Sequence, residues 1–287
     1  MASSTSNSRP LFYGASLLLA LGLCFGAQSL ILRQTGGRTT KSESNYFSSV
    51  ARIQSGVRGA PEVMLLGSSM TGRLPDRTRG FEGVANLGCD GGSALDALGA
   101  MDAGAIPAAP RLIIEGNTLF LGVKFKESEV GEAMHSRWFR TGIEVPNLGA
   151  AGRPSSIAYS LLMERKVGGT SVAEGEGFKV DTRPAMVSGD AGSFDAEENE
   201  MIDHTAGILR KLVAGGSRIT IVMLPPAEDP SSLKRRLPEE MARRAGVPFW
   251  DLASAVPAGE VRFTDRIHMD AASATSALRT LLSATAP

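Results

Sequence analysis

The chain opens on one long apolar run and then breaks into short ones. From Leu11 to Leu32 no charge occurs, and polar side chains are few: Ser16, Gln28 and Ser29. As a helix at about 1.5 Å per residue, this run reaches roughly 33 Å, enough to cross a bilayer core. It predicts a transmembrane anchor over residues 11–32, behind a short tail at residues 1–10. A cleaved signal peptide, cut after Gly26, is the competing reading. Its apolar core usually spans only about 7–15 residues, so length favours the anchor. A buried core helix fits less well, because no polar face emerges. Arg9 precedes the run, and Arg33, Arg38 and Lys41 follow it, which gives no clean orientation by charge.

Residues 33–60 are polar and read as a linker, with a short helical stretch around Tyr46 to Gln54. From Pro61 onward five apolar runs predict strands: Glu62–Leu66, Gly83–Leu87, Arg111–Glu115, Arg218–Leu224 and Val247–Asp251. They are short and alternate little with polar residues, as in strands buried on both faces. Helices are expected between them. Ser93–Asp102 is one. Asp195–Ala214 carries Met201, Ile208, Leu209 and Leu212 at helical spacing and stops at Gly215-Gly216. Leu233–Ala245 ends before Gly246. Asp270 caps a final helix with Ala274, Leu278, Leu281 and Leu282 along one face. Alternating strands and helices imply a parallel sheet covered on both sides. The interval of about 120–192 breaks this rhythm, with helices near Glu129–Arg140 and Ser155–Arg165. It reads either as an inserted cap facing substrate or as a surface excursion without a role.

Composition narrows the class. The 287 residues are 43% hydrophobic and 21% charged, which suits a globular domain beyond the apolar run. Thirty basic and thirty acidic residues cancel without long charge runs, which argues against nucleic acid as a partner. The two cysteines, Cys24 and Cys89, do not indicate a disulfide framework. Three histidines far apart in sequence, His135, His204 and His268, give little basis for a zinc site.

Ligands of doubly wound sheets bind outside the carboxyl ends of the strands. Four polar blocks follow candidate strands here: Gly67-Ser68-Ser69, Asn86-Leu-Gly-Cys-Asp-Gly91, Gly116-Asn117, and Asp265-Arg-Ile-His268. An Asp three residues before a His can orient that ring toward a distant nucleophile, and Ser69 at the end of its strand is the hydroxyl available.

These four blocks, in this order, resemble the SGNH (GDSL-like) hydrolase superfamily. The match places Ser69 at the family's nucleophile, Gly91 at its second-block glycine, Asn117 in its Gly-x-Asn block, and Asp265 and His268 in its Asp-x-x-His block. It covers about Pro61 to Pro287. With the five predicted strands it implies an α/β, flavodoxin-like three-layer sandwich with a five-stranded parallel sheet over residues 61–287, plus the N-terminal transmembrane helix. It also implies a serine esterase or O-acyltransferase with Ser69, Asp265 and His268 catalytic. The oxyanion hole would comprise the backbone N–H groups of Ser69 and Gly91 and the Asn117 amide. No metal or organic cofactor is called for. The blocks depart from the family at Ser68, where an acid is usual, and at Thr118, where an acid is common. Gly-x-Ser with a non-acidic middle residue is similar to membrane-anchored DltD-like and alginate O-acetylation proteins. That similarity implies an acylated small molecule or envelope polysaccharide as substrate, an extracytoplasmic domain, and envelope assembly partners. A catalytically silent, membrane-tethered module binding glycans or partners is the alternative.

Plainer roles compete at each position. Ser69 can cap the helix after its strand, His268 can be a surface residue at a helix entry, and Asp265 and Asn117 can be turn residues. Ser68 reads as structural. His135 and His204 read as solvated, and Trp138 and Trp250 as packing, with Trp138 a weaker candidate to line a sugar site.

Overall fold

The computed structural model describes residues 8–35, 37, 41–124, 128–167, 176–190, 192–257 and 259–286. Strands β1 (Val63–Ser68), β2 (Val84–Cys89), β3 (Arg111–Glu115), β4 (Ala185–Met186), β5 (Arg218–Met223) and β6 (Pro248–Asp251) form one sheet in the order β2-β1-β3-β5-β6-β4. All neighbours are parallel except β4, which pairs antiparallel with β6 through Ala185–Phe249 and Met186–Pro248. Without β4 the order is that of a flavodoxin-like sheet. The sheet therefore has six strands rather than the five expected. The sixth is two exposed residues long, and no apolar run announces it.

Side chains of the central strands alternate between two cores. Met64 and Leu66 of β1, Leu112 and Ile114 of β3, and Ile219, Ile221 and Met223 of β5 enter one core. Helices Asn45–Val57, Ala94–Asp102, Ala196–Ala214 and Leu233–Ala245 contribute to that same core. Val63 and Leu65, Ile113 and Val222 enter the other, with Ala274, Ala277, Leu278 and Leu281 of helix Ala271–Ala284. The result is helix, sheet, helix. Each fully buried aliphatic side chain contributes about 1.5–3 kcal/mol before entropy is counted. The cap predicted at Asp270 is present, accepting from Ser273 N–H, and Asp195 also caps its helix, accepting from Glu198 N–H in a capping box.

The domain begins earlier than residue 61. Helix Asn45–Val57 buries Val50, Ala51, Ile53 and Val57. Its polar side chains are spent on backbone groups of the body. Gln54 donates to Phe139 O at 3.0 Å and accepts from Ala150 N–H at 2.9 Å. Ser49 accepts from Asp90 N–H at 2.8 Å. The linker is thus shorter than the polar composition suggests.

The interval 120–192 forms helices Glu129–Met134, Arg137–Glu144 and Pro154–Val167, then β4. Its first half packs on helix Asn45–Val57 through Gln54 and Arg58, and later Phe178 N–H donates to Thr280 Oγ1 at 2.7 Å. It wraps the body along both layers. Residues 168–175 of this interval lie outside the described set.

The N-terminal helix Ser8–Gln34 contains a stretch, Phe12–Gln34, with mean hydropathy 2.0, long and apolar enough to cross a membrane. Only its last turns touch the body, where Leu32 is buried.

Glu43 ties the segment after this helix to helix Pro154–Val167. It pairs with Arg153 at 2.5 Å and accepts from Ser155 at 3.0 Å. Partial burial pulls its carboxyl upward. The Ser42 hydroxyl, its own backbone N–H, Ser155 and the Arg153 charge outweigh that and hold it at about 2, against an ordinary 4.5. A lowered folded pKa stabilises above the unfolded value and loses that contribution as pH falls through the folded one. Glu43→Gln is therefore expected to lower the melting temperature by a constant amount above about pH 5, with the gap closing toward pH 2. Thermal melts of both proteins across that range check this; a gap independent of pH contradicts it.

Candidate active site

Parallel register brings the chemistry-bearing turns together. Ser68 pairs with Cys89 and Leu66 with Ile114, so β1, β2 and β3 end side by side. Order reverses here: the chain leaves β1 toward β2 on one side and continues from β3 toward β5 on the other. Such switch points are where open α/β sheets bind ligands.

Ser69 starts the short helix Ser69–Gly72, and Ser68, not Ser69, is its cap, accepting from Met70 N–H at 3.1 Å. Ser68 is buried, whereas Ser69 is half-buried. This turn is fixed from below by Glu115, only 2% exposed. The Glu115 carboxyl accepts from Ser68 N–H at 2.9 Å and from the Ser68 hydroxyl at 2.8 Å. It also accepts from Thr71 N–H at 3.1 Å, the Thr71 hydroxyl at 2.7 Å and the Thr118 hydroxyl at 3.0 Å. Gly67 makes room for it: a Cβ there would stand 2.5 Å from Glu115 Oε2 and 2.1 Å from Thr71 Oγ1. Gly88 in β2 lets the turn lie against the strand, since a Cβ would stand 2.3 Å from Gly72 N. Asn86 closes the other side, donating to Thr71 O and Leu74 O, both at 2.7 Å.

Asp265 and His268 sit in a tight loop closed by Thr264 N–H to His268 O at 2.8 Å and Asp270 N–H to Arg262 O at 2.9 Å. Asp265 Oδ1 accepts from the backbone N–H groups of Ile267 and His268 at 2.8 and 2.7 Å. Oδ2 lies 2.7 Å from His268 Nδ1. His268 Nε2 lies 2.8 Å from Ser69 Oγ, across 199 positions of sequence. Bonds from the His268 backbone and ring and from the Ile267 N–H hold the Asp265 carboxyl far below its usual range. An ionised carboxylate only accepts, so Nδ1 carries a proton and Nε2 is left to take one from Ser69. Serine, imidazole and carboxylate form one directed relay.

Gly91 has φ +85°, a left-handed turn that glycine adopts freely, and nothing stands over it within 4 Å of a built Cβ. Helix Asn45–Val57 steadies this turn: Arg52 pairs with Asp90 at 3.3 Å and donates to Gly88 O at 2.5 Å. Asn117 is buried and clamped to Leu224, the residue after β5, donating to its O and accepting from its N–H, both at 2.8 Å. One N–H of its amide is beyond that pair. The Cys89 thiol, beside this turn, is pushed up to about 12 by burial and by the nearby Asp96 charge, so it is protonated at neutral pH. Among the described residues, no three His, Cys, Asp or Glu side chains converge as metal ligands do. His135 and His204 are exposed; Trp138 packs edge-on to Phe47, and Trp250 is in the core.

Sequence reasoning named Asn86 only as the start of a polar block and missed the positioning roles of Glu115, Asn86 and Thr71. An acid ending an apolar run was the one signal for Glu115. No family model matches the chain, and no curated protein or solved structure matches it.

Glu115→Ala removes both acceptor oxygens and leaves the Ser68 and Thr71 N–H groups without their partner. It is expected to lower unfolding free energy by about 1–3 kcal/mol for each donor left unpaired. Denaturant midpoints measure this; a loss under about 0.5 kcal/mol, the size of a surface change, contradicts it.

Proposed function

We propose that this chain is a membrane-anchored serine esterase or O-acyltransferase of the SGNH type, acting on ester-linked acyl groups of envelope polysaccharide. The observation that supports it most is the 2.8 Å contact between His268 Nε2 and Ser69 Oγ, with Asp265 behind the ring.

Ser69 Oγ attacks the ester carbonyl carbon while His268 Nε2 takes its proton. The carbonyl oxygen becomes an oxyanion. We assign its donors to the backbone N–H groups of Ser69 and Gly91 and the second N–H of Asn117. Asp265 stabilises the imidazolium. Collapse breaks the bond to the alcohol oxygen, which leaves with the proton from His268, and acyl-Ser69 remains. Water or a sugar hydroxyl then attacks this ester, giving its proton to His268, and the returning proton restores Ser69. Hydrolysis and transfer differ only in the acceptor.

A shallow rim suits a polymer. Asp265 is 52% exposed at its side chain, and the space above Gly91 is open. A bulky chain can lie across such a surface without being engulfed. The apolar N-terminal helix would hold the domain on the outer side of the membrane, where such polymers are.

A fluorophosphonate probe tests the reading. Labelling is expected in the native chain and in Ser68→Ala, and lost in Ser69→Ala. Asp265→Asn should slow ester turnover by up to about 10⁴-fold, through the wrong histidine tautomer. Labelling that survives Ser69→Ala contradicts the assignment. A folded chain that never labels supports the silent binding module instead.

A further inference from the structure

The N-terminal helix has too little free length to clear the body. Phe12 to Ala27, 16 residues, are exposed; side-chain contact with the body begins at Gln28, and the Phe25 carbonyl accepts from Asn147 just before it. Those 16 residues span about 24 Å. Counting from the charge at Arg9, residues 10–27 span about 27 Å, still no more than the roughly 30 Å of bilayer hydrocarbon. The docked turn therefore lies at the edge of the hydrocarbon, and whatever it docks on lies there too.

That docking is specific. Gln28 Nε2 donates to Asn147 O at 3.0 Å and also to Gly152 O. Asn147 Nδ2 donates to Ser29 Oγ at 2.8 Å, Gln28 Oε1 at 3.1 Å and Phe25 O at 3.3 Å. Gln28 and Ser29 are the polar side chains between Leu17 and Leu32, apart from the Cys24 thiol, and both find partners in the body, as polar groups at membrane depth must. Next to Asn147 stands Leu148, 52% exposed, whose carbonyl accepts from Trp138 Nε1 at 3.0 Å. Trp138 is 37% exposed and flanked on its helix by exposed Arg137 and Arg140. An indole with its body apolar and its N–H satisfied, beside guanidinium groups, is the composition of a membrane interface.

We propose that the surface at Trp138 and Leu148, beside the docked helix, rests in the lipid headgroup layer of the leaflet from which the N-terminal helix emerges. Anchor and domain are then one body, and the Ser69 rim is presented in a fixed orientation to the membrane. This rests on the membrane reading of the N-terminal helix and is independent of the catalytic one.

The chain has two tryptophans, and Trp250 is 6% exposed in the core. Full-length protein in nanodiscs of phosphatidylcholine and phosphatidylglycerol, with and without brominated acyl chains, separates them. Bromolipid is expected to quench the Trp138 share of the emission. Trp138→Phe should abolish that loss, and Asn147→Ala should weaken it while leaving the chain in the disc. Unquenched native emission from a chain that resists carbonate extraction overturns the face but leaves the anchor standing. A chain that washes off the lipid overturns both. Neither result bears on fluorophosphonate labelling.

Discussion

A buried carboxyl orders the rim of this sheet. Glu115 ends β3 and gathers the backbone and hydroxyls of Ser68 and Thr71, so the turn carrying Ser69 is held by its neighbour strand. Backbone N–H groups inside a protein cost free energy when unpaired, so this carboxyl fixes the turn where side-chain packing alone would leave it loose. With Ser68 turned down into that network, Ser69 is the hydroxyl that faces the rim. The glycines at 67 and 88 are the space this arrangement needs.

A second constraint comes from the far end of the chain. The loop from Arg262 to Asp270 is closed by its own backbone bonds and seated on the capped helix Ala271–Ala284. Its Asp265 uses one oxygen for loop geometry and the other for the ring of His268. Loop shape and histidine orientation are thus set by one side chain. A group so placed would need no reorganising in the proposed reaction, which is where electrostatic preorganisation draws its effect.

Much of the fold was legible because its strands are aliphatic runs and its helices carry caps and glycine stops. The Asp265–His268 pair was legible because spacing of three fits an Asx turn and a ring contact together. Helix Asn45–Val57 was read too short and assigned to a linker. Its apolar positions are interleaved with Ser48, Ser49 and Gln54, which are buried and hydrogen-bonded rather than solvated. Only tertiary partners make such residues core-compatible. Strand β4 owes its state to pairing with β6, which two exposed residues cannot announce. Glu115 and Asn86 act through the turn after β1, far from each in sequence, so an acid closing an apolar run and an Asn opening a polar block do not reveal that role. Asn117 was placed at the rim from its motif, and the structure adds that half its amide is committed to Leu224.

In the proposed function His268 activates Ser69 beside a set of donors that would stabilise the oxyanion. A crystal structure of the protein after reaction with an organophosphonate tests this most directly. Expected is a phosphorus–oxygen bond at Ser69 Oγ, with the phosphonyl oxygen about 2.7–3.1 Å from the N–H groups of Ser69 and Gly91. An adduct on another residue, or a phosphonyl oxygen turned away from both amides into solvent, contradicts it.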